Sequence, residues 1–218
     1  LPDSRTEINS TDKISPLLVS AYPTTLPLLI GELSSDNVMD NGGQFDTDEL
    51  IEKLYLWDSP SISSYDSPYA LWEGCYAAIA SANMALEGIE NLGSPASLNP
   101  QRGEALVCRA YSHFLLANVF CMPYNPNTAE SHLGIPYRTR TGDSVYPENT
   151  ERGSLKNTYE QIAADLEAGL PLIKDAAYEV PKYHFNRKAA NAFAARFYLY
   201  YQKWDKVIEC ANIAIGSN

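Results

Sequence analysis

Trp57, Asp58, Tyr65 and Tyr69 fall in or beside one irregular tract that runs from Leu26 to Asp66. A flat ring held in an exposed loop can stack on the C–H face of a sugar, while nearby polar groups bond its hydroxyls. Trp57, Asp58, Tyr65 and Asn37 are therefore the candidate carbohydrate-binding residues. The competing role for Trp57 is packing, because loop aromatics also plug gaps between helices. Asp36 and Asn37 lie in the sequence Ser-Ser-Asp-Asn-Val. They either orient ligand hydroxyls or bond their own backbone, and the turn role is the favoured one for this residue type.

Other chemistry finds little support. No nucleophile elbow, P-loop or dinucleotide fingerprint is present. Carboxylates are plentiful, but no Asp/Glu pair sits in an apolar setting that would raise one pKa, as a glycosidase needs. No catalytic residue is assigned on these grounds. His113, His132 and His184 are scattered without metal-ligand spacing, and Asp46, Asp48 and Glu49 lack the twelve-residue calcium pattern. No metal and no cofactor is expected. Cys75, Cys108, Cys121 and Cys210 have no CxxC spacing and read as small buried hydrophobes. A disulfide stays open if the protein crosses an oxidising compartment. Arg109 is surrounded by apolar positions, so it must reach an acceptor such as a carboxylate or a helix-end carbonyl. Glu104 is poorly spaced to be that acceptor.

The chain has 218 residues, 45% apolar and 20% charged, which suits one large globular domain or two small ones. Its formal charge is −11, with no basic stripe, so nucleic acid is excluded as a partner. No apolar run is long enough to span a bilayer, and the first ten residues lack a signal-peptide pattern. A mature protein would look the same at its N-terminus.

The elements that must position the loops are helical. The tract 99–123 carries Ala105, Val107, Cys108, Tyr111, Leu115, Leu116, Val119 and Phe120 at three- and four-residue steps. Asn99 reads as its N-cap and Pro100 as its first turn. Such an apolar helix must be central and covered on two sides. A first helix is expected from Ser10 or Thr11 to Pro23, and a second from the Ser67 cap to Gly93. The second should form an antiparallel hairpin with the central helix. Residues 26–66 read as a long loop with a short helical turn at 47–54, and residues 124–153 as another. Ser154 and Asn186 cap two further helices, and Trp204 begins the last, stopped by Gly216. Tyr198, Trp204, Val207 and Ala214 occupy tetratricopeptide offsets, with Val207 a departure from the usual alanine. The expected fold class is all-α, with stacked helical hairpins of tetratricopeptide type and long irregular loops, in one domain over 1–218.

Four segments in order resemble the SusD/RagB family of Bacteroidetes outer-membrane nutrient-binding lipoproteins. They are ISPLLVSAYPTT with GELSSDNV, LWEGCYAAIASANMALEGI, GEALVCRAYSHFLLANVFCMPY, and GIPYRT…SLKNTYEQIAADLEAGLPLI with the final helical hairpin. The resemblance implies a non-catalytic protein on the outer face of the outer membrane. Such a protein would be held by a lipid on an N-terminal cysteine that this sequence does not contain. It would serve as a lid on a SusC-like TonB-dependent transporter and help it capture oligosaccharide or polysaccharide, or in some members peptide. Family members are generally longer, so residues 1–218 are expected to be the N-terminal part of such a protein. A tetratricopeptide adaptor for a protein partner and an all-α glycoside hydrolase are the rival expectations.

Overall fold

A computed structural model describes residues 8, 10–42, 48–61, 63–142 and 151–216. The described chain is all-α, with helices α1 (Ile14–Leu18), α2 (Leu28–Leu33), α3 (Glu49–Tyr55), α4 (Pro68–Asn91), α5 (Asn99–Phe120), α6 (Leu155–Gly169), α7 (Arg187–Tyr200) and α8 (Trp204–Ile215). Among the described residues there is no strand, only an isolated bridge between Leu133 and Ser154.

Three of the expected caps form. The side chains of Ser67, Ser154 and Asn186 accept hydrogen bonds from the N–H groups of Ala70, Asn157 and Ala189. Each satisfies a donor that the first turn leaves orphaned. Asn99 does not behave this way. It already has helical dihedrals, because a 3-10 turn over Ala96–Leu98 leads straight into α5 and puts Leu98, which has no capping side chain, at the N-cap position. The first helix is also more broken than its spacing predicts, with 3-10 turns at Thr11–Lys13 and Val19–Ala21 flanking the short α1. The start of the expected turn at 47–54 lies outside the described residues, as does Asp46 of the acidic cluster, and α3 begins at Glu49. Helix α2 lies where a plain loop was expected.

Helix α5 is the hub. Its residues join three apolar clusters rather than forming one stripe. Val107, Ala110, Phe114 and Ala117 pack with α6, α7 and Cys210 of α8. Ala105 and Cys108 pack with α1 and the C-terminal half of α4. Leu115 and Leu116 pack with Leu71, Cys75 and Ile79 of α4 and with Ile135. Burial on three sides explains why most residues of this helix are small or apolar. All four cysteines are free thiols, three of them buried.

Gly103 and Gly169 mark where α5 and α6 come closest. A Cβ on Gly103 would sit 2.7 Å from the Gly169 carbonyl oxygen and 2.9 Å from Leu172 Cβ. Backbone cannot yield as a flexible side chain can, so Gly103→Ala is expected to cost about 1–3 kcal/mol. Gly31→Ala, with open space around it, should not destabilise. Urea unfolding of the two variants checks the contrast.

Candidate functional site

The irregular tract before α4 is held by α2 and α3. Asp48 caps α3 by accepting from Leu50 N–H at 2.9 Å, and Leu50 and Leu54 bury the inner side of that helix. Ser34 Oγ donates to the Leu54 carbonyl at 3.1 Å, and the Asp40 N–H donates to the Tyr55 hydroxyl at 3.3 Å. These bonds tie the chain after α2 to the end of α3.

Trp57 follows that end directly. Its N–H donates to the Leu54 carbonyl at 3.3 Å, and the Asp58 N–H donates to the Lys53 carbonyl at 2.8 Å. That paired closure is a Schellman motif, which wants glycine at the position Trp57 holds. Trp57 adopts φ 59°, the left-handed region that costs an L-residue about 1–2 kcal/mol. Its indole is 80% exposed. Trp57 therefore does not plug a gap between helices in the described chain; the helix end presents it to solvent. Asp58 turns its carboxylate onto the next N–H, that of Ser59, at 2.8 Å.

Tyr65 stands elsewhere on the same tract. Its hydroxyl donates to the Thr24 carbonyl at 2.6 Å, while the residue stays 65% exposed. It walls a shallow cleft of ≈ 490 Å³ shared with Thr24, Leu26, Leu28, Leu29, Glu32 and Asp66. The turn at Asn37 is made by Ser35 rather than by Asn37 itself: the Asn37 N–H donates to Ser35 Oγ at 3.2 Å, and the Asn37 side chain is left to bond elsewhere. Its side-chain amide also donates to Glu32 Oε2 at 3.3 Å, which links it to the rim of the cleft. The structure thus joins Tyr65 and Asn37 through the Glu32 rim, while Trp57 and Asp58 do not line the cleft. Tyr69 lies in the first turn of α4, exposed.

Sequence reasoning missed Glu32 and the aliphatic walls, because a six-residue helix is too short to display a period. Chemically the region offers flat rings, carboxylates and aliphatic surface. Among the described residues no group of three His, Cys, Asp or Glu could hold a metal ion.

The second irregular tract is anchored from below. Arg109 is buried and meets Asp165 bidentately, Nε to Oδ2 at 2.7 Å and Nη2 to Oδ1 at 2.6 Å. Its Nη1 donates to Asn83 Oδ1 and the Thr139 carbonyl. The Tyr137 hydroxyl donates to Asp165, the Asn83 amide donates to the Arg138 carbonyl, and the Tyr76 hydroxyl donates to the Pro136 carbonyl. Residues 136–139 are thereby stapled across α4, α5 and α6, and the tract leaves the body at a fixed point. Residues 143–150 of the expected loop lie outside the described residues.

His113 completes that staple. Its Nδ1 faces the Arg109 carbonyl at 2.8 Å, and its Nε2 faces the Arg138 N–H at 3.1 Å. Those partners require a proton on Nδ1 and none on Nε2, hence a neutral ring. Burial pushes its pKa down to about 3, with the Arg109 guanidinium adding to the effect and the Arg109 carbonyl opposing it. Unfolded, the ring titrates near 6.5. The unfolded state then binds the extra proton, so this group's contribution falls as pH drops below about 6.5 and levels off near 3. The expected loss is about 1.4 kcal/mol per pH unit. Urea unfolding at pH 7, 6 and 5 should show that added slope in the native chain and lose it in His113→Gln.

A second buried node escaped sequence reasoning. Glu104 is fully buried, and its Oε1 accepts from the Tyr22 hydroxyl at 2.6 Å and from His184 Nδ1 at 2.8 Å. The Tyr22 oxygen accepts from the Phe185 N–H. Burial pushes the Tyr22 phenol well above its ordinary range, which keeps it a donor. Arg109 and Glu104 thus take separate partners, and both networks serve the frame.

The profile of SusD-like proteins, described as starch-binding and associating with the outer membrane, matches residues 1–199. The chain belongs to the SusD-like family. Solved structures agree with its fold. A SusD superfamily protein from Bacteroides fragilis superposes with a TM-score of 0.76 at 21% identity, covering 98% of this chain and 51% of its own. The surface glycan-binding protein A of Bacteroides fluxus gives 0.63 at 24% identity, covering 93% and 43%. A laminarin-binding SusD-like protein gives 0.65 at 17% identity, covering 94% and 43%. This SusD-like chain therefore spans about half the length of the structures it resembles. Comparison with curated proteins gives no match.

Proposed function

We propose that this SusD-like chain is the N-terminal part of a longer, non-catalytic glycan-capture protein on the outer face of the outer membrane. In this reading it binds oligosaccharide for a SusC-like TonB-dependent transporter and is held to the membrane by an N-terminal lipid. The observation that carries the ligand reading is Trp57, an exposed indole kept at a helix end in a conformation that glycine would take at less cost. Strain held at an exposed aromatic is an outlier that asks for a function. A ring so placed can lie along the apolar face of a sugar, with Tyr65 as a second ring and Asp58 and Asn37 within the same tract.

The aliphatic walls beside Tyr65 support one second reading, a peptide ligand whose apolar side chain enters that cleft. Native affinity gels containing starch or laminarin, run beside fluorescently labelled peptides, separate the two. Retardation by a polysaccharide that Trp57→Ala abolishes is the expected result. Retardation by none, together with binding of peptides, overturns the glycan reading. Release of new reducing ends from either polysaccharide would overturn the non-catalytic one.

A further inference from the structure

Asn41 differs from the other asparagines of the described residues in a combination of features. It is exposed, it lies outside every helix, and a glycine follows it. Asn41-Gly42 is the sole Asn-Gly pair in the sequence. Asn37, exposed as well, precedes Val38, whose branched side chain crowds the backbone nitrogen next to Asn37. Asn125 precedes Pro126, which has no N–H, and Asn127 precedes Thr128, branched like valine. Asn91, Asn157 and Asn212 are exposed on helices, whose dihedrals keep each side-chain carbonyl carbon away from the following nitrogen.

Gly42 leaves its nitrogen open to approach. It adopts φ 72°, and a Cβ placed there would meet no atom within 4 Å. One contact opposes reaction. The Gly42 N–H donates to Asp40 Oδ1 at 2.8 Å, and the Asp40 N–H is itself tied to the Tyr55 hydroxyl at the end of α3. The carboxylate holds the proton that the nitrogen must lose, and its charge disfavours an anionic nitrogen beside it.

We propose that Asn41 is a self-modification site, in which the Gly42 backbone nitrogen closes on the Asn41 side-chain amide and Asp40 restrains the closure. The nitrogen gives its proton to water and bonds to Asn41 Cγ. The bond from Cγ to Nδ2 breaks, and Nδ2 takes a proton from water and leaves as ammonia. A second water then opens the cyclic imide on either side. Cleavage at Cγ yields aspartate in a normal backbone. Cleavage at the backbone carbonyl yields isoaspartate, which lengthens the main chain by one carbon. Either product adds a carboxylate to the tract that presents Trp57.

Timed tryptic digests of the folded protein held at neutral pH test this. Trypsin releases residues 14–53 as one peptide, which carries Asn37 and Asn41 together. Fragment masses should show Asn41 converting at least tenfold faster than Asn37, whose neighbour is branched. Asn41→Gln should abolish the change. Asp40→Ala should speed it roughly twofold to tenfold, the range that loss of one hydrogen bond gives. Conversion of Asn37 as fast as that of Asn41, or a mass gain that survives Asn41→Gln, overturns the site. So does an Asn41 that stays intact in the folded protein while a synthetic peptide of residues 38–46 converts fully. An Asp40→Ala variant that converts no faster than the native chain overturns the restraint.

Discussion

Asp165→Ala is expected to destabilise the fold by about 3–5 kcal/mol, the largest single effect that this structure implies. The reason is the charge left behind. Arg109 gives two of its nitrogens to Asp165 and is almost wholly buried between α5 and α6. Without the carboxylate it has only neutral acceptors, Asn83 and the Thr139 carbonyl, and the Tyr137 hydroxyl loses its acceptor as well. Water reaches the pair poorly, since the two side chains are only 9% and 10% exposed. The pair's net worth is smaller than the cost of breaking it, because taking both charges out of water offsets most of their attraction. The double variant Arg109→Met/Asp165→Leu is therefore expected to recover most of the loss. Urea midpoints of the single and double variants decide the matter. A single variant as stable as the native chain would show that the pair holds nothing together. A double variant no better than Asp165→Ala would show that the stranded charge is not what matters.

Trp57→Gly should move stability and binding in opposite directions. Glycine takes φ 59° without strain, recovering about 1–2 kcal/mol, while the greater freedom of the unfolded chain takes back about 0.5–1 kcal/mol. The exposed indole contributes little packing to lose. A net gain of about 0.5–1 kcal/mol is expected, together with at least tenfold weaker polysaccharide retention, about 1.4 kcal/mol of binding. Gln202 is the internal control. It closes α7 by the same motif, its N–H donating to the Leu199 carbonyl and the Lys203 N–H donating to the Tyr198 carbonyl, at φ 61°. Gln202→Gly should stabilise by less, because it also removes the bond from the Gln202 amide to the Tyr124 carbonyl at 3.4 Å, and should leave retention untouched. Trp57→Ala should lose retention without the gain. If Trp57→Gly is stabilised and still retained, the indole is not the ligand platform. If both glycine variants are destabilised, the left-handed conformation carries no recoverable strain.

The sequence alone determined what short-range physics determines. Periodic apolar residues and the side chains of Ser67, Ser154 and Asn186 placed α4, α6 and α7, and the density of apolar and small residues on and beside its stripe placed α5 at the centre. The need of Arg109 for an acceptor was legible from its apolar neighbours. The identity of that acceptor was not, because Asp165 lies 56 residues away and reaches Arg109 only through the close crossing of α5 and α6. Glu104 gave no signal at all, since its partners lie 82 and 80 residues distant and meet it only once α5 is covered. Asn99 misled because a cap depends on the dihedral of the residue itself, and a preceding 3-10 turn had already made it helical. The candidate site divides the same way. The aromatic residues of the tract were visible as types, but only tertiary structure decided that Tyr65 borders an aliphatic cleft with Glu32 while Trp57 stands apart on a strained helix end. Side-chain type is a local property; what a side chain faces depends on how distant helices pack.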